Sequence, residues 1–206
     1  MEIKSIKSGS MGVNTYFVSD GKKSIIIDSG DDYQTIKSFC ADNNIAITEI
    51  YYTHAHFDHL GNAARFQKDG VKVYVPEKDI PLIEGDGNLG IKFTGAFEKF
   101  IPDGTVKEGD VIAIGGGLKV LETPGHTFGS VCYVGSDVIF SGDTLFYKCV
   151  GRTDLPSSDY NSLVNSVKKL YALTGDYTVY PGHGKPTTIN YERKNNLFIR
   201  GDSVIK

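Results

Sequence analysis

A chain of 206 residues with 40% hydrophobic and 23% charged residues has the size and composition of one folded domain. The formal net charge is −3 and the 22 Lys and Arg residues are scattered, which argues against a nucleic-acid-binding face. The longest apolar runs fall far short of the roughly 20 residues that a membrane span requires. We therefore expect a single domain over residues 1–206, with neither nucleic acid nor membrane as a partner.

The cellular location follows from two weaker features. Residues 1–5 lack the basic region and the apolar run that begin a secretory signal. Three cysteines, Cys40, Cys132 and Cys149, are an odd number without Cys-x-x-Cys spacing, which suits a reducing compartment. A cytoplasmic location is expected, and the oligomeric state stays open.

Short apolar segments between polar turns predict a sheet-rich fold. In chain order, the predicted strands cover residues 15–19, 24–28, 48–53, 71–75, 110–114, 118–123, 130–134, 137–141 and 177–180. The predicted helices cover 33–40, about 60–67, 160–171 and about 191–198. Glycine turns at 115–117 and 135–136 are expected to join neighbouring strands. Because each helix has one apolar stripe, sheets packed on each other with helices outside are the expected layers.

The segment from residue 76 to residue 105 is the least regular part of the chain, with glycines interspersed among aromatic residues. Two interpretations stay open. The segment is either a loop that lies over a functional site or a surface excursion that holds one short helix.

The strongest chemical signal lies between Thr53 and His59, where six residues hold three imidazoles and a carboxylate. Imidazole and carboxylate are ordinary ligands of zinc, iron and related ions. On an extended strand tail, His54 and His56 would point the same way and could share one ion. Asp58 and His59 follow where the chain turns toward a helix, so they could face a second ion.

The remaining two histidines also lie in turn motifs. His126 follows Pro124-Gly125, His183 follows Pro181-Gly182, and each turn comes after an apolar strand. Ligand sites gather where strand-end loops converge, so all five histidines are expected at a single site. The alternative is that these turns are unrelated.

Asp143, in the turn after Gly142, also has two interpretations. By itself it could be an ordinary turn aspartate. The ligand count favours another role, because a carboxylate between two triplets could bridge two ions with its two oxygens. The expected ligands are His54, His56, His126 and Asp143 for the first ion, and Asp58, His59, His183 and Asp143 for the second.

This set of motifs resembles the metallo-β-lactamase fold superfamily. Its H-x-H-x-D-H motif appears here as residues 54–59, and Gly125-His126, Gly142-Asp143 and Gly182-His183 match its later motifs in order. The resemblance covers the whole chain. It implies an α+β fold, a four-layer αββα sandwich, with a dimetal site along one edge of the sheets.

Within the superfamily, residues 142–146 (GDTLF) and 151–156 (GRTDLP) are most similar to the glyoxalase II-like branch. A true metallo-β-lactamase typically has cysteine where Asp143 stands, so antibiotic hydrolysis is not favoured. Authentic glyoxalase II has a C-terminal helical domain that helps to bind glutathione, and the 23 residues after His183 leave no room for it. The exact substrate therefore stays open.

The expected reaction is hydrolysis by a metal-bound hydroxide. Two divalent ions, zinc first with iron or manganese as alternatives, would lower the pKa of a shared water toward about 7 and polarise a carbonyl. Asp58 would orient the metal hydroxide as well as bind an ion. Since the sequence offers no dedicated general acid, a thiolate leaving group with a pKa of about 8.5 is favoured. The expected substrates are small acyl-glutathione-type thioesters, with lactones and other esters as alternatives.

Two other functions are compatible with these motifs. A persulfide dioxygenase, a relative with much of the same motif set, would hold one iron with His54, His126 and Asp143. A non-catalytic module, in which the ions only hold loops together, would need more closed ligand shells than these triplets provide.

Three residues are expected around the ligands or near the substrate: Asp28, Thr53 and Arg152. Asp28 could accept the second N–H of a ligand imidazole, or it could cap the helix that begins near Asp31. Arg152 could contact the substrate or pair with Asp154.

Several polar residues carry weaker expectations. Asn14 and Tyr16 lie in an early segment that could approach the site. Lys148, Lys185 and Arg193 could attract an anionic substrate or be solvated surface charges.

Overall fold

The structure is a computed structural model in which residues 1–85 and 87–201 are described. Six strands of the first half of the chain form one sheet in sequence order. They are β1 (Glu2–Ser8), β2 (Val13–Ser19), β3 (Ser24–Ile27), β4 (Ile47–Tyr51), β5 (Lys72–Pro76) and β6 (Gly104–Val106). The first three strands pair antiparallel, and β3 to β6 pair in parallel.

A second sheet contains strands of the other half. In chain order these are β7 (Val111–Ile112), β8 (Leu118–Glu122), β9 (Val131–Val134), β10 (Val138–Gly142), β13 (Thr178–Pro181) and β14 (Thr187–Thr188). Their spatial order is β14-β13-β10-β9-β8-β7, and β10 and β13 are parallel neighbours. A separate hairpin consists of β11 (Leu145–Phe146) and β12 (Cys149–Val150).

Seven helices are described, most of them on the outer faces of the two sheets. They are α1 (Tyr33–Asp42), α2 (Phe57–Leu60), α3 (Ala63–Lys68), α4 (Ile80–Glu84), α5 (Gly90–Thr94), α6 (Tyr160–Tyr171) and α7 (Ile189–Asn195). A single 3-10 turn, Glu77–Asp79, precedes α4. No helix in the described ranges is both long and apolar enough to span a bilayer.

The side chains of β3 show how the layers pack. Ile25 and Ile27 face the second sheet, in a core that includes Tyr133 of β9, whereas Ile26 faces Ile36 of α1. This alternation is the period of two that a strand buried on both faces requires. On the far side of the second sheet, β8, β9, β10 and β13 pack against α6 and α7 in a third cluster. The expected four-layer αββα sandwich is confirmed.

Each predicted strand has a counterpart, although the strand expected over 110–114 shortens to two residues in β7. The single helix expected over 60–67 was wrong, because the chain forms α2 and α3 with a break at Gly61 and Asn62. A Cβ at Gly61 would lie 2.8 Å from the carbonyl oxygen of Phe57, so the chain passes too close there for a side chain. The last helix begins and ends earlier than expected, at Ile189–Asn195.

The irregular segment from residue 76 to residue 105 holds more structure than either interpretation allowed, with the 3-10 turn, α4, α5 and the start of β6. Leu89 and Phe93 of this segment line the pocket described below, as the interpretation of a loop over a site predicts. Five strands were not predicted: β1, β6, β11, β12 and β14.

Candidate metal centre

The candidate ligands lie at the ends of sheet strands, as expected. After β4 ends at Tyr51, His54 and His56 follow in the loop before α2, and Asp58 and His59 lie on α2 itself. The expectation that both histidines extend the strand was therefore wrong. The loop still brings the two rings together, with 4.9 Å between their centroids.

Three histidines form the first cluster. His56 Nδ1 lies 2.9 Å from His126 Nε2, and the rings of His54 and His126 are 4.8 Å apart. One nitrogen from each of the three rings lies within 4.8 Å of the other two. The first predicted triplet therefore converges on one point, although 70 residues separate His56 from His126.

Asp58, His59 and His183 form the second cluster. Asp58 Oδ2 lies 3.3 Å from His183 Nε2 and 3.9 Å from His59 Nε2. The second predicted triplet is thus also assembled, from α2 and from the turn after β13.

Asp143 lies between the two clusters. Its Oδ1 is 3.3 Å from His59 Nε2, while its Oδ2 is 3.5 Å from His126 Nε2 and 3.6 Å from His183 Nε2. The parallel pairing of β10 with β13 places Gly142 opposite Pro181, which brings Asp143 beside the His183 turn. A Cβ at Gly182 would overlap the Asp143 carboxylate, so this close approach requires glycine.

The nitrogen tautomers are set from behind the cluster. Thr53 Oγ1 donates to Asp28 Oδ2 at 2.8 Å, so this hydroxyl can only accept from His54 Nδ1, which lies 3.1 Å away. His59 Nδ1 lies 3.0 Å from Asp28 Oδ2. Thr53 therefore leaves the Nε2 lone pair of His54 facing the cluster, while the Asp28 carboxylate lies beside His59 without hydrogen-bond geometry.

The second interpretation of Asp28, as the cap of the first helix, was wrong. Asp32 is the residue before α1, and its side chain accepts the N–H of Thr35. Asp28 instead has φ of 54° and also accepts the backbone N–H of Thr53 at 2.8 Å. This left-handed backbone turns the carboxylate toward the histidines.

Arg152 takes part through its backbone. His126 Nδ1 lies 2.9 Å from the Arg152 carbonyl oxygen, so its N–H donates there and Nε2 faces the cluster. The guanidinium makes two 2.7 Å bonds to the Asp154 carboxylate, which is the pairing expected as one alternative.

Several buried atoms of the cluster have no hydrogen-bond partner among residues 1–85 and 87–201. They include His54 Nε2, His59 Nε2 and Asp143 Oδ1. Leaving a buried polar atom unpaired costs about 1–3 kcal/mol, so three in one place require an explanation. Lone pairs of imidazole and carboxylate that point at one another fit divalent metal ions, which therefore match this donor set.

The charge environment divides the histidines into two kinds. Burial, together with neighbouring His126, lowers the pKa of His56 to about 3, and burial and His59 lower the pKa of His54 well below its usual range. Burial would also lower the pKa of His59, but the carboxylates of Asp143, Asp28 and Asp58 raise it well above its ordinary value. His54 and His56 thus disfavour a proton, whereas the second cluster gathers negative charge suited to a cation.

Asp79 supports the site and was not predicted. This fully buried carboxylate accepts the N–H of Ala55 at 2.9 Å, the hydroxyl of Thr127 at 2.7 Å and the N–H of Gly129 at 2.7 Å. It therefore ties the His54–His56 loop to the His126 loop. Burial raises the pKa of Asp79, which these donors only partly offset. The sequence signal was weak, because two of the three donors are backbone groups that any residue carries.

Asn14 and Tyr16 approach the site as expected, by holding the His183 turn. Asn14 Nδ2 donates to the carbonyl oxygens of Pro181 and Gly184, both at 2.9 Å, and the Tyr16 hydroxyl donates to Pro181 at 2.7 Å. Arg193 does not reach the site, since its guanidinium bonds to Asn190 and to nearby carbonyls.

A pocket of about 400 Å³ opens beside the clusters, within the range of small-molecule sites. Five candidate ligands line it: His56, Asp58, His126, Asp143 and His183. Its other lining residues are Met11, Phe57, Leu89, Phe93, Phe146, Val150, Arg152 and Leu155.

Comparison with known proteins identifies the family. The model of the metallo-beta-lactamase superfamily matches residues 9–183, so the chain belongs to this superfamily. A probable metallo-hydrolase of Streptococcus pyogenes is 32% identical, over 91% of this chain and 86% of the relative. The hydroxyacylglutathione hydrolase GloC of Haemophilus influenzae is also 32% identical, over 89% of this chain and 91% of the relative. The chain is thus a metallo-hydrolase of this superfamily.

Solved structures of the superfamily have the same fold. The B3 metallo-beta-lactamase BLEG-1 aligns with a TM-score of 0.88 and 33% identity, over 96% of this chain and 99% of that one. TTHA1623 in a di-iron-bound form aligns with a TM-score of 0.86 and 34% identity, over 95% and 100%. ETHE1 from Myxococcus xanthus aligns with a TM-score of 0.80 and 25% identity, over 98% of this chain and 86% of that one.

Proposed function

We propose that this metallo-hydrolase is a dinuclear thioesterase that acts on acyl-glutathione-type thioesters. The observation that carries the proposal is the arrangement of two complete triplets with Asp143 between them and unpaired lone pairs pointing inward. The name of GloC, a hydroxyacylglutathione hydrolase similar over most of both chains, supports the choice of thioester.

In this proposal each triplet would hold one ion, and the Asp143 carboxylate, which lies between the triplets, would contribute to both. The first ion would be bound by His54, His56 and His126, and the second by Asp58, His59 and His183. Zinc is the first choice for these donors, and the di-iron form of TTHA1623 supports iron as the alternative. When bound, the ions would polarise a carbonyl and make a water acidic enough to attack it near neutral pH.

The protein's own residues would orient the reacting groups. Asp58 lines the pocket, where its carboxylate can accept a hydrogen bond from the attacking water. Burial opposes the charge on Asp58, but His59 and His183 hold its pKa below the usual range, so the carboxylate is an acceptor at neutral pH. Asp28, Thr53 and the Arg152 carbonyl keep the ligand rings in place during the reaction.

The leaving group selects the substrate class. The groups that line the pocket are candidate ligands, apolar side chains and Arg152, whose guanidinium is paired with Asp154. A thiolate with a pKa of about 8.5 leaves without protonation, whereas an alkoxide does not. This chemistry favours thioesters over ordinary oxygen esters.

The test combines elemental analysis of the purified protein with hydrolysis of S-lactoylglutathione, with and without a chelator. Two ions per chain and chelator-sensitive hydrolysis are expected. The Asp58→Asn variant should lose most of the activity, while Asp137→Asn, at an exposed turn, should keep it. One iron per chain, with oxygen uptake on glutathione persulfide, would overturn the proposal in favour of the dioxygenase. Hydrolysis of a β-lactam or a lactone, but of no thioester, would overturn the proposed substrate class.

A further inference from the structure

One wall of the pocket is apolar and stands directly beside the candidate ligands. Met11, Phe57, Leu89 and Phe93 form it, and Phe57 lies between His56 and Asp58 in the chain. The rings of Phe57 and Phe93 stack with 5.6 Å between centroids. Phe57 and Leu89 are buried, whereas Phe93 is 56% exposed. The wall therefore runs from the ligands to the surface.

The chain is strained to place this wall. Leu89 has φ of 68°, which is uncommon for a residue with a bulky side chain, and strained residues of this kind cluster at active sites and ligand clamps. Its neighbours hold it there, since the Asn88 carbonyl accepts the N–H of Phe57 at 2.9 Å and the Asn88 side chain accepts the N–H of Gly90 at 2.7 Å. The strained residue is thus anchored to the helix that carries Asp58 and His59.

The side of the pocket at the β11–β12 hairpin has positive charge near it. Phe146 and Val150 line this side, and the hairpin turn, Tyr147-Lys148, lies next to these lining residues in the chain. The ammonium of Lys185 lies 3.8 Å from the Tyr147 ring centroid. Among the residues that the structure describes, neither lysine has a carboxylate partner within 4.0 Å. A polar or anionic carrier fits this side, which leaves the uncharged wall to the acyl group.

We propose that Met11, Phe57, Leu89 and Phe93 form an acyl subsite, and that the substrates are thioesters with an apolar acyl chain of several carbons. The inference rests on the proposed function. A polar group further along the acyl chain would lie against side chains that cannot bond to it, and an unpaired polar group is penalised. An alkyl chain would instead bury apolar surface at no such cost.

The expected preference can be estimated from the hydrophobic effect. Each methylene buried contributes about 0.8 kcal/mol, which corresponds to about fourfold in kcat/KM. Acyl-glutathiones from acetyl to hexanoyl should therefore be hydrolysed with kcat/KM rising about fourfold per methylene until the wall is covered. Lactoyl should be a poorer substrate than butyryl.

The test compares two phenylalanines of similar exposure, Phe93 at 56% and Phe198 at 59%. Phe93→Ala should flatten the acyl series toward a constant kcat/KM, and Phe93→Leu should retain most of the slope. Phe198, 59% exposed and not part of the pocket, supplies the control, so Phe198→Ala should keep the full slope. A flat series in the unmodified protein, or a slope that survives Phe93→Ala, would overturn the subsite.

A binding measurement separates this inference from the proposed function. Calorimetry with the metal-loaded protein would compare acetate, butyrate and hexanoate. One outcome is that no thioester is hydrolysed, yet hexanoate binds about tenfold or more tightly than acetate and Phe93→Ala removes this difference. That outcome would support the acyl subsite and overturn the thioesterase proposal. Equal binding of all three carboxylates overturns the subsite even if thioesters are hydrolysed.

Discussion

Two regions meet at the pocket and are built in different ways. The ligand loops leave the sheet strands and are tied from behind by buried polar groups, with Asp28 on one side and Asp79 on the other. Among the described residues, no buried carboxylate ties the wall around Leu89 and Phe93 in this way, and a backbone bond from Phe57 to Asn88 anchors it. Ligand geometry tolerates little movement, whereas a wall of side chains can be changed without rebuilding the site. Chemistry and substrate choice should therefore be separable by mutation.

The largest effect is expected from Asp143→Asn, in the ligand region. The amide keeps the shape but loses the charge and one acceptor oxygen, so it could not serve both clusters with two carboxylate oxygens, as the proposed function requires. We expect kcat/KM to fall by more than about 100-fold, which exceeds the effect typical of residues that only hold the ligands. The factor should be the same for every acyl length. Metal content per chain and the acyl series measure this.

Asp137→Asn, at an exposed turn, is the matched control for that change. The two regions are not separable if Asp143→Asn changes how steeply kcat/KM rises with acyl length instead of lowering kcat/KM equally for all acyl groups. A variant with full metal content and full activity would remove Asp143 from the ligand set.

Asp28→Asn should have the next largest effect. Its carboxylate contacts the candidate ligand His59 and also Thr53, which accepts from the candidate ligand His54. Removing a group that holds metal ligands in this way typically lowers metal affinity or activity by about 10–100-fold. Titration with a metal chelator gives the affinity. Asp32→Asn is the control, because asparagine caps a helix as well as aspartate does. Equal behaviour of the two variants would contradict the role of Asp28.

The contrast between these aspartates shows how far the sequence could be interpreted. The seven candidate ligands were predicted because histidine and aspartate recur in spaced motifs after apolar strands. Two interpretations of Asp28 could not be separated, since both a cap and an outer partner place an aspartate after a strand. The choice depends on φ of 54° at Asp28, which no local pattern encodes.

Other features were missed for related reasons. Strands β11, β12 and β14 have two residues each, too few to show a period of two. The positive φ of Leu89 was unexpected because glycines at 85, 87 and 90 would be the usual choice for such a conformation. Asp79 recognises mainly backbone N–H groups, which leave no trace in the identity of its partners.

Asp79→Asn should have an intermediate effect, mainly on stability. Both carboxylate oxygens accept from donors, so an amide must turn its NH₂ toward at least one N–H or O–H group. Leaving these buried groups unpaired should cost about 1–3 kcal/mol in the free energy of unfolding. Chemical denaturation of the metal-free and metal-loaded forms measures it.

Asp176→Asn is the control for Asp79, because this exposed aspartate accepts one backbone N–H, from Asn190. It should change stability by less than about 0.5 kcal/mol. If the Asp79 variant is as stable as this control, the two ligand loops are not held together by the carboxylate.

The smallest effect on stability is expected from Leu89→Asn, in the wall. Asparagine tolerates the left-handed region, so the change relieves about 1–2 kcal/mol of backbone strain while losing about 1.5–3 kcal/mol of leucine burial. The net change should stay within about 2 kcal/mol, as measured by denaturant unfolding, and the slope of the acyl series should fall toward zero. Asn44→Leu reverses the exchange at an exposed position with φ of 54°, so it should cost about 1–2 kcal/mol and leave the acyl slope intact. If both variants change the slope alike, acyl preference follows overall stability and the two regions are not separable.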